Sequence, residues 1–159
     1  MSLTKIRYSK QALDVFNSEI LKFGEIETGG ALVGYIAGDT IFVETASNGG
    51  KNAIHEELYF KADPNYIDMF IDIEVANSNG RFRYLGEWHT HPEINPSPST
   101  IDLQSLNEIA MSSDDFCMLL IIGNYNFKSD LFARQSISII KEKKENNAYA
   151  LKLLAINSI

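Results

Sequence analysis

Apolar residues along the chain recur at two spacings, and the alternation between them outlines the elements. After Ser9, positions Leu13, Phe16, Ile20 and Phe23 repeat at three- and four-residue intervals, which is the spacing of one helix face. Ser9 offers an N-cap oxygen and Gly24 a stop. The β-rich runs A-L-V-G-Y-I-A (31–37) and T-I-F-V-E-T-A (40–46) flank Gly38-Asp39 and predict a hairpin. From Ser47 the chain turns polar and irregular and reads as a long loop up to Pro64. That proline suits the first turn of a second helix, with Tyr66, Phe70 and Ile73 along one face and Asn79-Gly80 as its stop. R-F-R-Y-L-G-E-W-H-T-H (81–91) reads as a strand. A third helix then begins near Ser99, with Leu103, Leu106 and Ala110 as its apolar stripe. C-M-L-L-I-I-G (117–123) is apolar throughout, as in a strand covered on both faces. F-K-S-D-L-F-A-R (127–134) and S-I-S-I-I-K-E (136–142) extend the sheet, and A-L-K-L-L-A-I (150–156) is the least clearly patterned run. Helices interleaved with strands predict an α/β sandwich, with residues 1–159 as one domain.

Composition narrows the class. Hydrophobic residues make up 45% and charged residues 22% of the 159, enough to bury a core without disulfides. Fourteen Lys and Arg against 21 Asp and Glu give a net charge of −7, which argues against a nucleic-acid partner. The single Cys117 sits in an apolar run and reads as a small core residue, in keeping with a reducing cytoplasm. No signal peptide is expected at the N-terminus. No apolar run approaches the roughly 20 residues of a membrane span.

The chemistry concentrates in G-E-W-H-T-H-P-E-I-N-P-S-P-S-T-I-D (86–102), which holds two of three histidines and three of four prolines. On a strand, His89 and His91 point to one face while Trp88 and Thr90 point to the other. Asp102 falls in the first turn of the following helix. Two imidazole nitrogens and one carboxylate oxygen, with a position left for water, form a catalytic zinc set rather than a closed structural one. A metal held there would acidify its water and polarise a carbonyl. The plainer reading of Ser99-x-x-Asp102 is a helix cap, and the serine can both cap and offer its hydroxyl to a reacting oxygen.

With these residues the sequence resembles the JAMM (JAB/MPN+) zinc metallopeptidases. H89-T-H91-P-E-I-N-P-S-P-S99-T-I-D102 matches H-x-H-x7-S-x-x-D in every position, and E27-T-G-G-A-L-V-G matches the glutamate-bearing stretch upstream. The resemblance implies an α-β-α sandwich with a mixed, curved sheet. It implies zinc on His89, His91 and Asp102, and Glu27 as the base that takes a proton from water and delivers it to the leaving amine. It implies Ser99 as the donor to the oxyanion. The implied substrate is a peptide or isopeptide bond after the C-terminal glycine of a ubiquitin-like or conjugated protein. The sequence looks most like the short bacterial branch of antiphage operons. That branch implies a cyclic-oligonucleotide synthase and an activating or conjugating-like enzyme as partners. Two alternatives stay open: a non-catalytic MPN scaffold, and a hydrolase of sulfur carriers or small molecules.

Four further residues lie outside the H-x-H-x7-S-x-x-D motif. Glu87 shares the histidine face and could orient an imidazole or act as an alternative base. Gly29 and Gly30 read as close-approach positions in the sheet. His55 in H-E-E-L-Y lacks the second histidine of H-E-x-x-H, since position 59 is tyrosine, and reads as a loop histidine. The loops 47–64 and 92–98 are expected to flank the metal and to leave a channel too narrow for side chains at the scissile bond.

Overall fold

Ser9 opens the first helix as its sequence predicts. Its Oγ accepts from the Ala12 N–H at 3.1 Å and donates to the Glu44 carbonyl at 2.6 Å, tying the helix start to the sheet. The computed structural model describes residues 3–92, 99–112, 116–123, 135–143 and 149–156. In chain order the elements are β1 (Lys5–Tyr8), α1 (Lys10–Phe23), β2 (Gly29–Ala37), β3 (Thr40–Ala46), β4 (Ile54–Glu56), β5 (Tyr59–Lys61) and α2 (Pro64–Asn77). There follow β6 (Arg83–His91), α3 (Thr100–Ser112), β7 (Phe116–Gly123), β8 (Gln135–Lys143) and β9 (Tyr149–Ile156). Seven strands form one mixed sheet in the order β1-β3-β2-β6-β7-β8-β9. The β1–β3 and β6–β7 pairs are parallel and the others antiparallel.

Both faces of the central strands are covered. Phe16 and Ile20 of α1 pack on Leu32, Val43, Trp88, Met118, Leu120 and Ile122, all fully buried. Alternation turns Ala31, Val33, Cys117, Leu119 and Ile121 to the other face, where α2 and α3 lie, and these too are buried. This double burial is why 117–123 carries no polar residue. Near its start β6 bulges: Leu32 pairs with Gly86 and Val33 with Tyr84, so Leu85 has no opposite residue. The bulge reverses the alternation. Leu85 joins the α1 core, whereas Tyr84 comes onto the face of Glu87, His89 and His91. Gly86 carries the bulge at φ 146°, where a side chain would collide with the Met118 carbonyl.

The structure departs from the sequence reading in four places. β1 forms a parallel edge strand that four residues of K-I-R-Y do not announce. The polar stretch after Ser47 is not simply a loop, because it contains the antiparallel β4–β5 hairpin turning at Glu57-Leu58. His55 is therefore a strand residue. In α2, capped by Asp63 with Pro64 at its first turn, Tyr66 and Phe70 are half-buried but Ile73 is 50% exposed. In α3, Leu106 is buried while Leu103 faces outward. Residues 136–142 and 150–156 are strands as expected. Residues 127–134, 93–98 and the side chain of Ala110 lie outside the described residues.

Candidate active site

Pairing of β2 with β6 brings Gly29 opposite His89 and carries the chain before β2 over the end of β6. Beyond that rung, Thr90 N–H donates to the Thr28 carbonyl at 2.9 Å and Thr28 N–H to Thr90 Oγ1 at 3.0 Å. A side chain at position 29 would strike the Trp88 carbonyl and the His89 Cβ, so the close approach of the two strands requires glycine. Trp88 is clamped on the opposite face, its Nε1 donating to the Ser47 carbonyl at 2.9 Å and its ring against Phe16. The strand bearing the histidines is thus fixed from both sides.

His89 and His91 share a face and turn their Nε2 atoms towards each other, 3.1 Å apart. Asp102 reaches both from the start of α3, with Oδ1 3.2 Å from His89 Nε2 and Oδ2 3.3 Å from His91 Nε2. Donors about 2.0–2.1 Å from a tetrahedral ion stand about 3.3–3.4 Å from one another, so these separations suit a small divalent metal. The donor set fits it too: two imidazoles and one carboxylate within 4.8 Å, half-buried to buried, with no thiolate to close the shell.

The candidate ligand Asp102 is also half of the helix cap. Asp102 N–H donates to Ser99 Oγ at 3.1 Å, and Ser99 N–H donates to Asp102 Oδ2 at 2.7 Å, a reciprocal capping box. This box aims the carboxylate at the histidines. Burial opposes ionisation of Asp102, but hydrogen bonds from both histidines and from the Ser99 N–H outweigh it and hold the carboxyl well below the usual range. Ser99 is exposed, and its hydroxyl still has a proton to donate.

Glu27 lies beside the group, its Oε1 3.6 Å from His91 Nε2. Burial pushes its pKa up to about 7, the His91 ring pulling the other way and the Asp102 carboxylate adding to the rise. A carboxyl that exchanges its proton near neutrality suits a group that must take and then give one. Glu87 shares the histidine face but hydrogen-bonds with Tyr84, which the bulge brings alongside it; burial raises its pKa and the Tyr84 contact lowers it.

The five sequence-predicted residues Glu27, His89, His91, Ser99 and Asp102 therefore meet at one end of the sheet. Sequence reasoning missed the residues behind Glu27. Glu19 of α1 accepts from Thr28 Oγ1 at 3.3 Å, Glu56 accepts from the Glu27 N–H at 2.9 Å, and His55 Nδ1 lies 3.0 Å from the Glu27 carbonyl. No apolar-polar alternation marks I-H-E-E-L-Y-F-K (54–61), and no Asn-Gly or Asp-Gly turn announces a hairpin there.

The family described as prokaryotic homologs of the JAB domain matches residues 9–137. The chain is 30% identical over 113 residues to a CD-NTase/cGAS isopeptidase of Pseudomonas aeruginosa, covering 70% of this chain and 72% of that protein. It is 31% identical over 116 residues to a CD-NTase/cGAS isopeptidase of Vibrio cholerae, covering 73% and 74%. A Sinorhizobium fredii protein named "Probable metalloprotease y4qB" is 32% identical over 95 residues, 58% of each chain. A solution structure of a protein from Desulfitobacterium hafniense shares the fold, with a TM-score of 0.57 at 19% identity over 98% of this chain and 92% of that one.

Proposed function

Because the chain belongs to the family of prokaryotic homologs of the JAB domain, we propose that it is a zinc-dependent isopeptidase. Its substrate is a ubiquitin-like or conjugated protein joined through its C-terminal glycine. The single observation that carries this reading is the convergence of His89, His91 and Asp102 with the Glu27 carboxyl beside them. His89 Nε2, His91 Nε2 and one Asp102 oxygen hold the ion. Zinc, when bound, supplies a Lewis acid for the scissile carbonyl and the attacking water. Glu27 accepts the proton of that water and returns it to the leaving amine, for which a pKa of about 7 is well placed. The Ser99 hydroxyl donates to the oxygen on which negative charge develops. The glycine-ended tail runs extended beside the β4–β5 hairpin, pairing by its backbone. Exposed Ile54, Leu58 and Tyr59 on the hairpin and Ile101 and Leu103 around Asp102 contact its apolar side chains. The relatives' name, CD-NTase/cGAS isopeptidase, supports a link to a CD-NTase or cGAS-like enzyme, and the sequence resemblance adds to the proposal a place in antiphage defence beside a cyclic-oligonucleotide synthase and an activating or conjugating-like enzyme.

The test is cleavage of a ubiquitin-like protein fused through its C-terminal glycine to a reporter. Wild type cuts after the glycine. Glu27→Gln keeps its zinc and loses about 10²–10⁴-fold in rate, because the amide keeps the shape and not the basicity. On this reading the residue before the scissile bond must lack a side chain, so replacing the substrate glycine by leucine abolishes cutting. Equal cleavage of the glycine and leucine fusions would remove the glycine specificity, and an active Glu27→Gln would move the base elsewhere.

A further inference from the structure

Glu27 occupies the link between α1 and β2, two residues before the first rung of the β2–β6 ladder, so the sheet does not satisfy its peptide groups. Both are met by two neighbouring residues of β4. The Glu27 N–H donates to the Glu56 carbonyl at 2.9 Å, and the Glu27 carbonyl faces His55 Nδ1 at 3.0 Å. A carbonyl can only accept, so Nδ1 carries the proton in this contact. The ring that donates is itself held. Phe23, at the end of α1, stacks on it with centroids 3.8 Å apart and planes 13° from parallel, and Phe60, its partner across the hairpin, lies at 5.3 Å. A planar face for the stack and a ring N–H for the carbonyl are two requirements that a histidine meets in one side chain.

We propose that His55 is a positioning residue for Glu27, fixing through the Glu27 carbonyl the peptide from which the base projects. The Thr28 N–H of that same peptide donates to Thr90, between the two histidine ligands, so His55 and Thr90 hold the peptide after the Glu27 Cα from its two edges, while the Glu56 carbonyl holds the peptide before it. Without the His55 contact the carbonyl has lost its donor, and the carboxyl can swing away from His91. A 1 Å displacement of an acid–base group is costly in rate and costs little in substrate affinity. The proposal rests on the reading of Glu27 as the base.

The test compares His55→Phe, which keeps the stack and removes the donor, with His55→Asn, whose side-chain amide restores a donor near the Nδ1 position. Turnover of the glycine fusion, zinc content, melting temperature and hydrogen exchange at the Glu27 amide are measured for each. The expected result for His55→Phe is a kcat lower by about 10- to 100-fold with KM and zinc unchanged, and His55→Asn recovers most of it. An unchanged kcat in His55→Phe overturns the proposal. A rise in KM alone does so too, since it makes His55 itself a substrate contact and not a support for Glu27. If wild type does not cleave the fusion, the peptidase reading falls and exchange decides. Exchange at the Glu27 amide about tenfold faster in His55→Phe than in wild type and His55→Asn then supports the clamp, and equal exchange in all three refutes it. If His55→Phe does not fold, His55→Leu replaces it as the variant without a donor.

Discussion

Asp102 carries two loads that the structure makes inseparable: it completes the capping box of α3 and it faces both histidines. A capping aspartate ordinarily spends its oxygens on backbone N–H groups. Here one oxygen does so while the other is left for His89. Ser99 shares the arrangement, because its Oγ accepts the Asp102 N–H and keeps its own proton, which the proposed function gives to a substrate oxygen. Ser99→Ala separates the roles. Losing the cap costs about 0.5–2 kcal/mol and lowers the melting temperature. Losing a donor aimed at developing charge costs about 10²-fold or more in kcat with KM little changed. Both losses are expected, with metal content intact. A lower melting temperature at unaltered kcat would leave Ser99 as a cap alone.

At the scale of elements, β6 shows how much of the site alternation reveals. His89 and His91 share a face because both follow the bulge, so the period-two reading holds for them and for Glu87. It fails for Tyr84, which the unpaired Leu85 turns onto that same face; only the pairing with β2 locates the extra residue, and pairing cannot be read from one strand. The β4–β5 hairpin was hidden for a related reason, since Glu57-Leu58 carries none of the usual turn residues. α1 was legible in its cap, its stop and its apolar stripe, yet not in Glu19, which lies 6% exposed beneath Thr28. Burial raises the Glu19 pKa, with Lys22, Thr28 and His55 pulling the other way. The sign follows: the stability Glu19 contributes is present while it is protonated, below its unfolded pKa, and is lost as pH rises through the raised folded value. Glu19→Gln, which cannot ionise, should therefore gain in melting temperature relative to wild type on going from pH 5 to pH 8. A difference that does not change between the two would contradict a charge buried at cost.

On the scale of the molecule, the sheet order assembles the site from distant segments. The antiparallel β2–β6 pair sets the approach to β2 against the end of β6, and the crossover from β6 to parallel β7 starts α3 at that same end. Glu27, the two histidines and Asp102 thus meet across 76 positions of sequence, from 27 to 102. The order of elements and the α/β class follow from the hydrophobic pattern, whereas the neighbours of each strand depend on long-range pairing that no local pattern encodes. Among the described residues no helix is long and apolar enough to cross a membrane. The proposed activity depends most on the three donors. Metal content of chain purified without chelator, by elemental analysis of wild type and of His89→Ala, His91→Ala and Asp102→Ala, tests it most directly. One zinc per chain in wild type and none in each variant is the predicted result, since two remaining ligands hold the ion poorly against water. A wild-type protein that is free of metal and takes up no added zinc, or a variant that keeps its full complement, would contradict it.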